Sequence, residues 1–205
     1  MATTTPNYGW TVPTSTDLVK DGATAIETLG DAIDASMNTA LGTKKAGMVL
    51  LNTTSFSAVS SVSLPANTFS SSYDNYKVFV TFDSNSAASS KRLRFRTAGT
   101  DNTASNYNAA LSIVRFAGTS VIGGGANVNI FEILFNDTQG SASFDVVSPN
   151  RATLTQIVNL SATANNGEVF MGAAQFNAAT VFDSLSIIAS TGTMGGTITC
   201  FGYNK

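Results

Sequence analysis

The sequence predicts a mainly β protein: an extended N-terminal arm and one oligomerising helix, followed by an antiparallel β-sandwich of jelly-roll type. Three observations predict it. Only one stretch, Thr14 to Leu41, carries the alternating three-and-four spacing of an amphipathic helix. From Gly47 onward the apolar residues recur at period two instead. Links rich in Ser, Asn and Gly cut that second region into about ten short strands with no helix between them, which is the pattern of a sandwich rather than of an α/β fold. The domain organisation that follows is an arm over residues 1–13, a helix over 14–41, a linker over 42–46 and a sandwich over 47–205.

The arm contains Pro6, Tyr8, Gly9, Trp10 and Pro13 among threonines, and two prolines with a glycine predict a segment outside helix and sheet. Trp10 is the only tryptophan in the chain. An aromatic pair on a non-core segment suits a pocket on a partner, where Trp and Tyr dominate binding energy. It equally suits a staple in which Trp10 packs on its own helix, and the sequence leaves both open.

The helix presents Val19, Gly22, Ile26, Leu29, Ile33, Ser36 and Ala40 along one seam, the spacing of a heptad repeat. Thr14, Ser15, Thr16 and Asp17 offer capping oxygens, and Asp17 and Asp21 place negative charge at the positive end of the dipole. Gly42, Lys44 and Lys45 supply the stop. A lone helix of this length gains little in water until its stripe is buried, either on the chain's own β region or against other copies. The flanking Ala25, Gly30, Ala32, Met37 and Thr39 are small or uncharged and favour other copies. Gly22 and Gly30 point the same way, since each costs about 1 kcal/mol relative to Ala in an exposed helix and close helix approach offsets that. Val19, Ile26, Leu29, Ile33 and Ser36 are therefore the expected oligomerisation residues.

In the β region, Tyr76, Val78, Val80 and Phe82 alternate with Lys77, Phe79, Thr81 and Asp83, and Leu93 and Phe95 alternate with Arg92, Arg94 and Arg96. Further strand-length runs lie at 48–51, 110–116, 128–135, 142–147, 153–160, 169–176, 185–189 and 197–203. Residues 83–90, 118–127 and 164–167 read as links, with Gly123, Gly124 and Gly125 at a flexible loop tip; the Lys and Ser/Thr of a phosphate loop do not follow them.

Composition narrows the function classes. Charged residues make up 12% of 205 residues with a net charge of -2, and the 11 basic residues are scattered, which predicts no nucleic-acid partner. The chain lacks histidine, the commonest general base and metal ligand, and its acids form no close pair in sequence, so the expectation is a non-enzymatic protein without a cofactor or metal. Glu132 interrupts an apolar strand; a buried acid of the glycosidase kind is one reading, a solvated strand face or a pairing with Arg94 or Arg115 the other. The lone Cys200 excludes an intrachain disulfide and reads as a small buried group. Neither a basic leader followed by an apolar run nor an 18-residue apolar stretch is present, so neither export by a conventional signal nor membrane insertion is expected. The Arg92, Arg94, Arg96 row suits an anionic glycan or the acids of a neighbouring strand or subunit. Tyr73, Asn106, Tyr107 and Asn108 join it as candidate receptor contacts, because exposed aromatics and loop amides bind glycans.

The opening MATTTPNYGWTVPTSTDLVKDGATAIETLGDAIDAS resembles the N-terminal segment of tail-fibre and minor tail proteins of tailed bacteriophages. SSYDNYKVFV, RLRFRTAGTDNTASNY, FDSLSIIAS and the closing GTITCFGYNK look like the β-sandwich that ends many such virion proteins. The resemblance implies a homotrimer located in the virion and assembled in the host cytoplasm. It also implies an arm bound to other virion proteins, with Pro6, Tyr8, Trp10 and Pro13 as docking residues, and a sandwich that projects toward a host cell-surface glycan. A capsid decoration protein or head fibre is the alternative, and a carbohydrate-active enzyme a third reading.

Overall fold

The computed structural model describes residues 3–14, 16, 18–42, 47–164 and 167–205, with the side chains of Lys20, Leu41, Gly42, Phe135, Asn136 and Asp137 outside the description. The chain divides into two compact units, residues 1–46 and 47–205.

In the first unit, β1 (Thr3–Thr4) pairs antiparallel with β2 (Thr11–Val12), so the arm is a small hairpin rather than a segment outside any sheet. Pro6 and Gly9 are used by its turn instead of breaking it. Gly9 takes φ +66°, its N–H donates to the Thr5 carbonyl at 3.0 Å, and the Thr5 N–H donates to the Trp10 carbonyl at 2.9 Å. The helix α1 runs Val19–Met37 and continues as a π-helical turn over Asn38–Gly42, starting five residues later than the periodicity predicts. Leu18 occupies the N-cap position without a side-chain cap, while the Thr14 and Thr16 hydroxyls bond each other at 3.0 Å. Ser15, Asp17, Lys44 and Lys45 lie outside the described residues, as does most of the expected linker. Asp21 does sit in the first turn, where the dipole favours it.

The second unit is an antiparallel β-sandwich, jelly-roll-like in its layering. Its larger sheet has eight strands in the order β3 (Met48–Val59), β15 (Met194–Tyr203), β5 (Asn75–Asn85), β11 (Gly140–Val147), β12 (Thr155–Thr163), β13 (Glu168–Phe176), β8 (Tyr107–Arg115) and β9 (Ser120–Val128). The smaller has β10 (Phe131–Asp137), β6 (Ser89–Thr97), β14 (Ser184–Ala189) and β4 (Ser61–Ser63), with β7 (Thr100–Asp101) paired to β6. Tyr76, Val78, Val80 and Phe82 of β5, Phe144 and Val146 of β11, and Leu93 and Phe95 of β6 are all buried between the sheets, as period two requires. Asn159 of β12 crosses the core, donating Nδ2–H to the Ile133 carbonyl of β10 at 3.0 Å.

Three expectations change. Residues 120–128 are not a link: they form the edge strand β9, with Gly123, Gly124 and Gly125 opposite Leu111, Ala110 and Ala109. The strand beginning at Met48 extends to Val59, and Ser61–Ser63 adds a strand that serine content hides. Glycine and serine lower β propensity, but pairing along a whole neighbouring strand overrides that preference.

Gly196 marks a register shift where β15 meets both β3 and β5, with φ +156°. A Cβ there would overlap the Thr81 carbonyl oxygen, a backbone atom that cannot move alone. Gly196→Ala is expected to destabilise the sandwich by about 3 kcal/mol, read from urea unfolding followed by far-UV circular dichroism. A loss under about 1 kcal/mol would show that the bulge can relax.

Candidate functional site

Two stripes divide α1. Gly22, Ala25, Leu29, Ala32, Ile33 and Ser36 are half-buried, β2 packs on the helix, and the Trp10 indole N–H donates to the Ser36 hydroxyl at 3.0 Å. Tyr8 stacks on Trp10 with centroids 5.0 Å apart and remains exposed. Trp10 is thus the staple, and of the expected docking residues Pro6 and Tyr8 stay free on the outside while Pro13 is half-buried. Ser36 and Leu29 lie on the stripe facing the arm, which corrects their place in the expected seam.

The second stripe carries Val19, Ala23, Ile26, Gly30, Ile33, Met37 and Ala40, spaced four and three throughout. Val19 is 96% exposed and Ile26 65%, and all of the stripe except Ile33 lies open. Among the described residues a Cβ at Gly22 or Gly30 would meet nothing within 4 Å, so no packing there requires either glycine. Asp31, Asp34 and Glu27 are exposed elsewhere around the helix, leaving the stripe itself uncharged.

On the sandwich, the arginine row lies on the outer face of the smaller sheet and is largely neutralised. Arg92 Nε pairs with Glu132 Oε1 at 3.2 Å, and Arg96 Nε with Asp101 Oδ1 at 3.1 Å. Arg94 Nε donates to the Asn129 carbonyl at 3.1 Å and, among the described residues, reaches no carboxylate. Glu132 therefore meets Arg92 rather than Arg94 or Arg115. Arg115 instead holds the buried Glu168 at 2.7 Å. Arg92, Arg115 and Glu132 border a cleft of about 610 Å³ between β8–β9 and β10, whose apolar lining includes Leu111, Ile113, Val121, Val128 and Ile130.

Tyr107 cannot contact a receptor. It is wholly buried, its hydroxyl accepting the Phe95 N–H at 2.9 Å, because it points to the inner side of β8. Tyr73 is half-buried with its ring at the core edge against Tyr76, 6.1 Å between centroids. Asn106 accepts the Asn177 N–H on its carbonyl at 2.7 Å. Asn108 does face outward, in register with Gln175 and through it with Gln156, so an amide row crosses three strands of the larger sheet. Neither glutamine stands out in the sequence, since the row exists only once β12, β13 and β8 are paired. Beyond it on the same face lie Val158, Ala173 and Ala110, then Leu160, Met171 and Ser112, then Ala162, Val169 and Val114.

Asp145 and Asp74 are engaged structurally. Asp145 takes Lys77 Nζ at 2.9 Å and the Tyr203 hydroxyl at 2.6 Å, and Asp74 takes Lys205 at 3.0 Å. Among the described residues no three His, Cys, Asp or Glu side chains gather as a metal site, and no helix is long and apolar enough to cross a membrane.

Burial pushes the Cys200 thiol up to about 12 from 9.0 and the Tyr107 phenol up to about 12 from 10.0, and the bond to Asp145 raises Tyr203 likewise to about 12. Each group stays protonated in the folded chain while the unfolded chain would ionise it first. Their stabilisation is therefore complete below pH 9 and lost as pH rises toward 12. The thermal midpoint is expected to be level from pH 7 to 9 and to fall above that; a level profile to pH 11 would contradict the burial of these groups.

No protein-family model matches the sequence, and no curated protein is similar to it. Among solved structures, galectin LEC-6 of Caenorhabditis elegans is similar at 13% identity and a TM-score of 0.36, over 71% of this chain and 94% of the galectin. A fructofuranosidase of Schwanniomyces occidentalis complexed with fructosylnystose is similar at 5% identity and a TM-score of 0.25, over 77% of this chain and 34% of the enzyme. Both are likenesses of fold alone.

Proposed function

We propose that this chain is a non-enzymatic structural protein of a tailed-bacteriophage virion, a homotrimeric fibre or adhesin attached through its N-terminal unit and presenting the sandwich to the host surface. The observation that carries the reading is the open stripe on α1: an uncharged heptad ridge containing Gly30, on which every described residue but Ile33 is exposed. In water such a ridge is stabilised by sister helices, and a glycine in it permits close approach. The resemblance of residues 1–36 to phage tail proteins supports the virion setting and the number three. The outward Pro6 and Tyr8 remain available to another virion protein, and Arg94 with the cleft beside β10 offers the sandwich a cation and an apolar wall for a host glycan.

Sedimentation equilibrium of the intact protein at micromolar concentration tests the reading. The expected mass is about three times the 21.2 kDa of one chain. A single-chain mass would overturn it.

A further inference from the structure

We propose that the outer face of the larger sheet, over β12, β13 and β8, is covered by the sandwich of a second copy of this chain. This rests on the oligomer proposed above and assigns the surface through which the sandwiches meet.

The face is defined by Val158, Leu160, Met171, Ala173, Ala110 and Val114, brought side by side by the register of three strands. Val158 is 56% exposed, Leu160 54% and Met171 46%. No outward side chain on these strands from Asn108 to Val114, Gln156 to Ala162 or Val169 to Gln175 is charged. Depletion of charge with retention of Met and aliphatic groups marks the centre of a protein interface, and a contiguous apolar face is uncommon on a surface left in water.

Charge and extent select the occupant. A face of one sign would repel its own copy; this one brings no charge to meet, so an identical chain can approach it without penalty. Three strands with the edge strand β9 span about 19 Å, and eight residues along them about 27 Å, a flat area of roughly 500 Å². Standing side chains raise that toward the about 800 Å² per partner of a stable protein contact. A free glycan fits less well, because hydrogen-bonding groups lie at the borders of the face, the Gln156, Gln175 and Asn108 row at one end and Ser141, Ser143 and Asp145 of β11 along one side, and the area between offers none apart from Ser112. The adjoining β9 strengthens the case. It is an edge strand of nine residues without charge or proline, with Ile122 exposed, and natural sheets that lack such blunting residues commonly cover the edge.

Single cysteines test the assignment in the full-length chain. Cys200 is buried and its thiol raised to about 12, so it gives no background with a maleimide at pH 7.5. Met171→Cys and Val158→Cys are expected to react at least about 20-fold more slowly than Val181→Cys, whose parent side chain is 44% exposed near the smaller sheet. Both should reach the Val181→Cys rate once dilution or Ile26→Glu separates the copies. Equal rates for all three variants in a preparation that sediments as several copies would overturn this face and leave the oligomer standing. A single-chain mass would overturn both. Protection that persists in single chains, or that arises only on adding host polysaccharide, would assign the face to another occupant.

Discussion

Ile26→Glu is expected to reduce the assembly to single chains of 21.2 kDa while leaving each chain folded. Ile26 is 65% exposed in one chain, so the substitution leaves no cavity, and glutamate forms helix at least as well as isoleucine. Any loss of mass therefore reports association rather than misfolding. In a closed bundle the three carboxylates would meet one another away from water, which costs at least a hundredfold in association, about 3 kcal/mol. Thr24→Glu, on the far side of the helix, should leave the mass unchanged. Gly30→Ala adds a test of sign. In an isolated chain it meets open space and should strengthen the helix by about 1 kcal/mol, whereas in a bundle the added methyl holds the helices apart and weakens the assembly. Unaltered mass for Ile26→Glu would remove the ridge from the account.

Phe182→Ala is expected to cost the sandwich about 3–5 kcal/mol, roughly a fifth or more of the stability of a typical domain. Phe182 is fully buried, stacked on Phe95 of β6 at 4.7 Å and edge-on to Phe176 of β13 at 5.0 Å. Phe176 in turn meets Tyr107 of β8 at 4.9 Å. One ring thus joins the two sheets, and its backbone is tied down as well: Phe182 N–H donates to the Pro149 carbonyl, and its own carbonyl accepts Asn150 Nδ2. The thermal midpoint of the far-UV signal should fall by roughly 6–20 °C. Trp10 fluorescence, which reports the N-terminal unit alone, should be unmoved below that transition. Tyr107→Phe, which orphans the buried Phe95 N–H and removes the long bond to the Asn102 carbonyl, should cost less, about 1–3 kcal/mol. A loss below 1 kcal/mol for Phe182→Ala would mean the rings do not hold the sheets together.

The legible and illegible parts of the site differ in kind. That Arg92, Arg94 and Arg96 share a face follows from alternation alone. That Glu132 neutralises Arg92 depends on β10 flanking β6, a long-range pairing no local pattern encodes, whereas Asp101 reaches Arg96 across the tight hairpin between β6 and β7. Tyr107 looked like a loop aromatic because Asn106 and Asn108 flank it, yet those polar neighbours are the outward half of a strand whose inward half is buried. Gly123 to Gly125 looked like a loop because glycine has no side chain to report a face, and β8 supplied the ladder that made it a strand.

By itself the sequence determined the β class, the single helix and the inward and outward faces of strands such as β5 and β6, because these depend on periodicity along the chain. Tertiary structure alone decided which stripe of the helix the arm takes, which arginine of the row meets no carboxylate among the described residues, and that Gln156, Gln175 and Asn108 stand in one row. The physical reason is range: side-chain alternation is set by the two backbone torsions of each residue, whereas partners about 20 to 70 residues apart are chosen by how the elements pair, which no short window of sequence contains.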